Sequence, residues 1–287
     1  MGDAWELAQG AFIWGRWFLV AAAFGMIVFC SRRSVSLARL ARECALVILA
    51  YFAYFAYFAY FAYFAVRGLT EGGEARAVEN ANRVIEVERS LGILWEPAWQ
   101  EAILDQHTLV TFANWAYIWG HWPVIALAAV WLFIKSPDSY RLFRNAFIIS
   151  GLIGLAIFMT FPVAPPRLAD MAVVDTVTQH SSAYRVLQPP SLMNQYAAVP
   201  SLHFGWNLLV GLALVREARP LWAKACGVCL PVVMFLAIVL TANHYILDAV
   251  AGAAVALIGL AFAQNLRYLD DLTAAGRREG RLEPAHH

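Results

Sequence analysis

Long apolar runs separated by short polar links are the main pattern along this chain. A helix needs about 20 consecutive apolar residues to cross a hydrocarbon layer of about 30 Å. On this basis we predict seven membrane-spanning helices, at residues 12–30, 44–66, 109–134, 145–161, 202–215, 222–241 and 245–263. The predicted fold class is therefore all-α, a polytopic membrane helix bundle of about six to seven transmembrane helices.

The amino-acid composition agrees with a membrane protein. Of the 287 residues, 61% are hydrophobic and only 14% are charged, whereas a typical soluble domain has about 25% charged residues. The formal net charge of +1 gives no indication of a nucleic-acid partner, so only the placement of the charges is informative. We therefore expect membrane lipids as partners and no nucleic acid.

The charged links predict the orientation in the membrane. Basic segments follow the first, third, fifth and seventh predicted spans, and all four fall on one side: SRRSVSLARLAR, KSPDSYRLFR, REARPLWAK and NLRYLDDLTAAGRREGR. Cytoplasmic loops carry an excess of Lys and Arg. The pattern predicts a multi-pass protein of the plasma membrane with its N-terminus outside and its C-terminus in the cytoplasm.

Residues 67–108 fall on the outer side and alternate charged with apolar residues at roughly helical spacing. Glu79 and Arg83 lie four apart, a favourable order on an exposed helix face. Trp95 and Trp99 follow them. We predict two amphipathic helices at the membrane interface, which either border a site or serve as a passive surface.

The third predicted span carries polar residues on one face. Asn114, Tyr117 and His121 are spaced three and four apart, and Pro123 predicts a kink just after them. Polar groups at this depth either hydrogen-bond to neighbouring helices or contact a substrate headgroup. Both interpretations stay open at this point.

Two histidines lie at the outer ends of predicted spans. His203 begins the fifth span, and His244 begins the seventh together with Asp248, four residues later. In a helix that spacing places His244 and Asp248 on one face, where the carboxylate fixes the imidazole tautomer and leaves the other nitrogen free to react. An ionisable residue such as Asp248 inside a span is a functional candidate by default.

The residues around these histidines suit an anion. Pro200 and Ser201 favour the start of a helix, whose N-terminus attracts negative charge. Arg167, after the prolines of TFPVAPPRLAD, adds a cation on the same side. With Asn243 and Tyr245, which flank His244, Arg167 and Ser201 make up the predicted phosphate-binding set.

PSLH, followed by HYILD, resembles the second and third signature motifs of the type 2 phosphatidic acid phosphatase superfamily, over about residues 140–265. The resemblance implies that His244 is a nucleophile that forms a phosphohistidine and that Asp248 orients it. It also implies that His203 protonates the leaving group. APP and HY are more similar to the branch that contains inositol-phosphorylceramide synthases, which transfer a phospho-headgroup between lipids and alcohols.

Two parts of the family pattern are missing. Ile238 stands where the third motif has an arginine, six residues before the histidine. PVAPPR replaces the first motif, which leaves Arg167 as the candidate for its arginine. Arg141 and Arg144 fall on the predicted cytoplasmic side, a membrane thickness away.

The sequence therefore predicts a lipid phosphatase or phosphotransferase that acts on a lipid phosphate without a cofactor or metal ion. The alternatives are an inositol-phosphate headgroup transferase, a metal-dependent hydrolase built on the same two histidines and aspartate, and a non-enzymatic lipid transporter. We divide the chain into four parts: an N-terminal transmembrane hairpin (1–66), extracytoplasmic interfacial helices (67–108), a catalytic transmembrane bundle (109–265) and a cytoplasmic tail (266–287).

Overall fold

The computed structural model describes residues 38–39, 41–46, 70–177 and 195–279. The chain divides into two compact units, one of residues 1–70 with 180–194 and the other of residues 71–179 with 195–287. Residues 38–39 and 41–46 of the first unit are helical. The predicted span 12–30 and nearly all of 44–66 lie outside the described residues.

Eight α-helices and one short 3-10 helix make up the described part of the second unit. They are α1 (Thr70–Ser90), α2 (Glu96–Leu104), α3 (His107–Trp119), α4 (Trp122–Lys135), α5 (Pro137–Thr160), the 3-10 helix Pro166–Leu168, α6 (Leu202–Glu217), α7 (Leu221–Leu240) and α8 (Ile246–Glu279). Extended pairing in the described residues is limited to one isolated parallel bridge, between Val163 and Ala197. The predicted all-α class is confirmed for this part of the chain.

Three described helices are long and apolar enough to cross a membrane: Pro137–Thr160, Leu221–Leu240 and the segment Ile246–Tyr268 of α8. A fourth span results if α3 and α4, which are bent by 48° at their junction, count as one. The prediction for residues 202–215 is correct as a helix. However, the 16 residues of α6 extend only about 24 Å, less than the hydrocarbon thickness.

The predicted span 109–134 is not one continuous helix. The N–H of Gly120 bonds to Ala116 O and ends α3, and His121 then stands at the N-cap of α4. Pro123 occupies the first turn of α4, where its missing N–H costs nothing. The break therefore lies two residues before the proline that predicted the kink.

Two further helix boundaries differ from the hydropathy pattern. α5 begins at Pro137 and includes Asp138 in its first turn, because proline at the start of a helix and an acidic residue beside the helix dipole both favour initiation. α8 continues to Glu279, well past the predicted end at 263. Apolar content marks the stretch that suits the membrane, but a polar helix can extend beyond it.

The bundle brings one end of each of four helices together. α6 packs against α5, α7 and α8, and α5 also packs along α8. A Cβ atom on Gly252 would lie 2.1 Å from the carbonyl oxygen of Ser201. The absence of a side chain at Gly252 therefore allows the first turns of α8 to contact the start of α6, which places Asp248 near His203.

α1 covers the loops at this end of the bundle. Its buried residues Ala77, Ala81 and Ile85 pack in one cluster with Val163, Ala164, Ala198 and Tyr245. Asn80 Nδ2 donates to Pro162 O at 2.8 Å, and Ala164 N donates to Ala77 O at 3.0 Å. Both predicted helices of residues 67–108 are present, and α1 borders the segments that carry the candidate site.

Candidate functional site

The link between α7 and α8 is a tight turn that presents His244. Ala242 adopts a left-handed conformation with φ of 54°, a common way to end a helix. The backbone N–H groups of Asn243 and His244 both donate to Ile238 O at 3.1 Å. The Ile238 side chain is fully buried in α7, so this position shapes the turn through its carbonyl group.

His244 is held in one tautomer. Its Nδ1 atom lies 2.8 Å from Ala198 O and 3.2 Å from Asp248 Oδ2. A backbone carbonyl can only accept a hydrogen bond, so Nδ1 carries the proton and Nε2 keeps its lone pair. Burial lowers the pKa of His244 to about 4; the hydrogen bond to Ala198 opposes this shift, and the Arg167 charge adds to it. The imidazole is therefore neutral at pH 7 and has a free nucleophilic nitrogen.

Asp248 lies behind the imidazole and is fully buried. Its Oδ2 atom also accepts the backbone N–H of Tyr245 at 2.9 Å, while Oδ1 has no hydrogen-bond partner among the described residues. The backbone carbonyl of Asp248 accepts the N–H of Ser201 at 2.9 Å. One residue thus contacts His244 through its side chain and the start of α6 through its backbone.

His203 lies in the first turn of α6 and is half-buried. Ser201 caps this helix, because its hydroxyl accepts the N–H of Phe204 at 3.4 Å. The ring centroids of His203 and His244 are 5.8 Å apart, with the planes tilted by 51°. The fold therefore brings together the two histidines, which are 41 residues apart in the sequence, with Asp248 beside them.

Arg167 lies beside the same turn. Its backbone N–H donates to Ala242 O at 3.1 Å, and its Nη1 donates to Asn243 Oδ1. Its Nε lies 3.5 Å from Asp175 Oδ2. The Nδ2 of Asn243 donates to the backbone and hydroxyl oxygens of Thr241. Asn243 is therefore fixed by its own turn and orients the guanidinium group.

Two residues of the predicted phosphate-binding set face protein atoms instead of an open site. The Tyr245 hydroxyl donates to Ala164 O at 3.0 Å, and its ring is fully buried in the cluster with α1. The Ser201 side chain is fully buried and serves as the helix cap. Both help to build the site, which leaves Arg167 as the cation of the set.

Arg141 and Arg144 lie in the first two turns of α5, whereas Arg167 follows the other end of that helix. The 17 residues from Arg144 to Thr160 span about 24 Å of helix. This geometry agrees with their exclusion from the site on the basis of the charge pattern.

Two carboxylates that sequence reasoning did not identify bind the backbone just after His244. Glu96 Oε1 accepts the N–H of Ile246 at 2.9 Å, and Glu88 Oε1 accepts the N–H of Leu247 at 2.8 Å. Both side chains are fully buried, and neither Oε2 receives a hydrogen bond from an N–H or hydroxyl group of the described residues. They cap the N-terminus of α8 just after His244.

The pKa of Glu88 is raised to about 9, mainly by burial and next by a hydrogen-bond contact with the Glu96 side chain. Glu88 is therefore protonated at pH 7 and can donate to Glu96. One shared proton accounts for both Oε2 atoms that lack another donor.

The remaining candidates are a metal site and the polar residues of the third predicted span. Among the described residues, no group of three or more His, Cys, Asp or Glu side chains is arranged to hold a metal ion. Asn114 Nδ2 donates to Thr176 O at 3.0 Å, and the Thr176 hydroxyl donates to Asn114 Oδ1. Asn114 therefore anchors the loop that carries Asp175, whereas Tyr117 and His121 stack on the ring of His203.

Comparison with known proteins gives one family and one solved structure. A family model described as the PAP2 superfamily matches residues 82–262, which is more than half of the chain and includes every site residue discussed above. The crystal structure of Aquifex aeolicus LpxE is similar at 16% sequence identity, with a TM-score of 0.44, over 56% of this chain and 87% of that one. No curated protein sequence matches the chain.

Proposed function

The chain belongs to the PAP2 superfamily, and we propose that it is a membrane-embedded lipid phosphatase or phosphotransferase that works through a phosphohistidine on His244. The observation that carries this proposal is the state of the His244 imidazole. Its Nδ1–H is held by Ala198 O and Asp248 Oδ2, and its Nε2 is unprotonated. His203 lies on the adjacent helix end with its ring 5.8 Å from that of His244.

In the first step, Nε2 of His244 attacks the phosphorus atom and the bond from phosphorus to the leaving oxygen breaks. His203, in its protonated form, gives its proton to that oxygen, so an alcohol leaves. The phosphorylated imidazole still carries a proton on Nδ1 and is therefore cationic. The Asp248 carboxylate at 3.2 Å and the Ala198 carbonyl at 2.8 Å stabilise this charge.

In the second step, water or an alcohol attacks phosphorus and the P–N bond breaks. His203 takes the proton of the incoming nucleophile, which restores both histidines to their starting states. Arg167 stabilises the negative charge on the equatorial phosphoryl oxygens through both steps. With a lipid phosphate as donor, water as acceptor gives free phosphate, whereas an alcohol such as inositol gives a new phosphate monoester. A new phosphodiester lipid forms when the donor is itself a phosphodiester, whose phospho-headgroup passes through His244 to a lipid alcohol.

We place the site on the extracytoplasmic side of the plasma membrane. It lies at the C-terminal ends of α5 and α7 and the N-terminal ends of α6 and α8. The basic segments KSPDSYRLFR, REARPLWAK and NLRYLDDLTAAGRREGR lie at the opposite ends of these helices, as expected for cytoplasmic links. A cysteine at exposed Asp170 should react with a membrane-impermeant thiol reagent on intact cells, above the level of the wild type. If labelling occurred only after the cells were opened, the site would face the cytoplasm and the proposed orientation would be wrong.

The function is tested with the purified full-length protein in detergent, a panel of lipid phosphates and a chelator, with and without inositol. Free phosphate and inositol phosphate are measured together, which separates hydrolysis from transfer. His244→Ala should abolish turnover of lipid phosphates, and His203→Ala should lower it by about 10²- to 10⁴-fold. His107→Ala, at the exposed start of α3, should leave it unchanged. Full activity in His244→Ala would refute the phosphohistidine.

A further inference from the structure

A third imidazole adjoins the site, and the mechanism above does not use it. His121, at the break between α3 and α4, is buried with 3% of its surface exposed. Its ring stacks on that of His203 with centroids 4.1 Å apart and planes 29° apart. The ring of His121 also lies parallel to that of Trp206 on α6, with the centroids 5.6 Å apart and the planes 2° apart.

The amide of Asn207 links His121 to the backbone of His203. Its Nδ2 atom donates to His203 O at 2.9 Å and lies 3.4 Å from His121 Nδ1. The carbonyl oxygen of His203 can only accept a hydrogen bond, so the amide nitrogen of Asn207 faces both groups and His121 Nδ1 accepts. His121 therefore carries its single proton on Nε2 and is neutral.

His203 differs from His244 in how its ring is held. Hydrogen bonds to Ala198 and Asp248 fix the His244 ring. For His203, the structure shows no hydrogen bond between its ring nitrogens and another described residue, whereas Tyr117 stacks on it at 4.7 Å and His121 at 4.1 Å. A group that exchanges protons with substrate must keep its nitrogens free. Its orientation must then come from contacts with the faces of the ring.

We propose that His121 is a positioning residue for His203: its stacked ring, tied to α6 by Asn207, holds the His203 imidazole in the orientation that transfers a proton to the leaving group. This inference rests on the proposed function, in which His203 is the general acid. A neutral His121 also adds no second positive charge beside His203 when His203 carries its proton, because two charged imidazoles at this distance would repel each other.

The test compares two substrates with different needs for a proton. An alkyl phosphate monoester, such as a lipid phosphate, has an alkoxide as its leaving group. An alkoxide is a poor leaving group and needs a proton from the general acid. A nitrophenyl phosphate releases nitrophenolate, a stable anion that needs no proton. The measured quantity is the rate of first-turnover release of the alcohol or nitrophenolate. His203→Ala should lower the alkyl rate by about 10²- to 10⁴-fold and the aryl rate far less.

His121→Ala should reproduce that selectivity more weakly, with a loss of about 10- to 100-fold on the alkyl substrate and less than about threefold on the aryl one. His121→Phe keeps a stacked ring and should recover most of the alkyl rate. His107→Ala, a change of the same type at the exposed start of α3, should match the wild type on both substrates. The double variant His121→Ala/His203→Ala should be no slower than His203→Ala alone.

Three results would overturn the inference while leaving the proposed function intact. The first is an equal loss on both substrates in His121→Ala and His121→Phe, which would mark a structural role. The second is no loss on either substrate in His121→Ala. The third is a double variant whose loss is the product of the two single losses. If the wild-type protein turns over neither substrate, or His244→Ala retains its rate, the proposed function itself has failed and the inference fails with it.

Discussion

The Nδ1 atom of His244 lies 2.8 Å from the carbonyl oxygen of Ala198 and 3.2 Å from Asp248 Oδ2. The shorter contact is therefore made with the backbone of the segment that precedes α6, and not with the carboxylate four residues along α8. The carbonyl determines which nitrogen carries the proton, and in the proposed mechanism Asp248 supplies the negative charge. These two roles can be separated by substitution.

Asp248→Asn should lower kcat by about 10²-fold. The charge that stabilises the cationic phosphohistidine is lost, but Ala198 still holds Nδ1–H and keeps Nε2 free to attack. The rate of phosphoenzyme formation, measured by rapid quench with labelled substrate, checks this expectation. A loss as large as that of His244→Ala would show that the tautomer depends on Asp248 instead.

Arg167→Gln should lower kcat/KM by about 10²-fold or more, because a fixed cation on the phosphoryl oxygens is lost. Arg167→Lys should recover only part of this loss, since Asn243 and Asp175 orient a planar guanidinium group and lysine lacks that geometry. Steady-state kinetics on a lipid phosphate measure both effects.

The matched control for Arg167 is Arg141→Gln, at the other end of α5, where an exposed arginine pairs with Asp138. It should leave kcat/KM unchanged. If Arg141→Gln were as damaging as Arg167→Gln, the phosphate site would lie elsewhere, and the assignment of Arg167 would be wrong.

Hydropathy and short motifs predicted the parts of this structure that depend on local sequence. α5, α7 and α8 follow from apolar runs, and the proximity of His244 to Asp248 follows from helical spacing. The bend between α3 and α4 was indicated by Pro123, although the helix ends at Gly120.

Contacts between distant segments could not be predicted from the same patterns. Glu88 and Glu96 accept N–H groups about 150 residues further along the chain, and charged residues on an amphipathic helix normally indicate a solvent-facing surface. Tyr245 was expected to contact phosphate, but its hydroxyl donates to Ala164 O, 81 residues earlier in the chain, a partner that only the tertiary structure brings near. The hydroxyl of Ser201 makes a local contact instead, the helix cap with Phe204 N–H.

Glu88→Gln should make stability less dependent on pH. The folded-state pKa of Glu88 is about 9, against 4.5 for an ordinary glutamate. Between these values the folded protein binds a proton that the unfolded chain releases. The native state therefore becomes less stable as the pH rises from about 4.5 to 9. Glutamine keeps an oxygen for the N–H of Leu247 and an N–H for Glu96 but does not ionise.

Thermal unfolding in detergent at a series of pH values measures this effect. The wild-type Tm should fall between pH 5 and 9 more steeply than that of Glu88→Gln, and the two curves should approach each other at the acidic end. Glu79→Gln, on the exposed face of the same helix, should retain the wild-type slope. Parallel curves for wild type and Glu88→Gln would contradict a shared proton between Glu88 and Glu96.

Gly252→Ala should destabilise the bundle and disrupt the site together. A Cβ atom at this position would lie 2.1 Å from the Ser201 carbonyl oxygen, so α8 must move away from the start of α6. Overpacking of this kind costs about 1–3 kcal/mol. The movement also separates Asp248 from Ser201, whose N–H it accepts, and displaces His244 relative to His203. The Tm and the activity should therefore both fall.

The control is Gly73→Ala in α1, where an added Cβ meets no atom within 4 Å. Alanine favours helix over glycine by up to about 1 kcal/mol, so this variant should be as stable as the wild type or slightly more so, with unchanged activity. Gly252→Ala with a wild-type Tm and wild-type activity would mean that the close approach of α8 to Ser201 is not what holds the two histidines together.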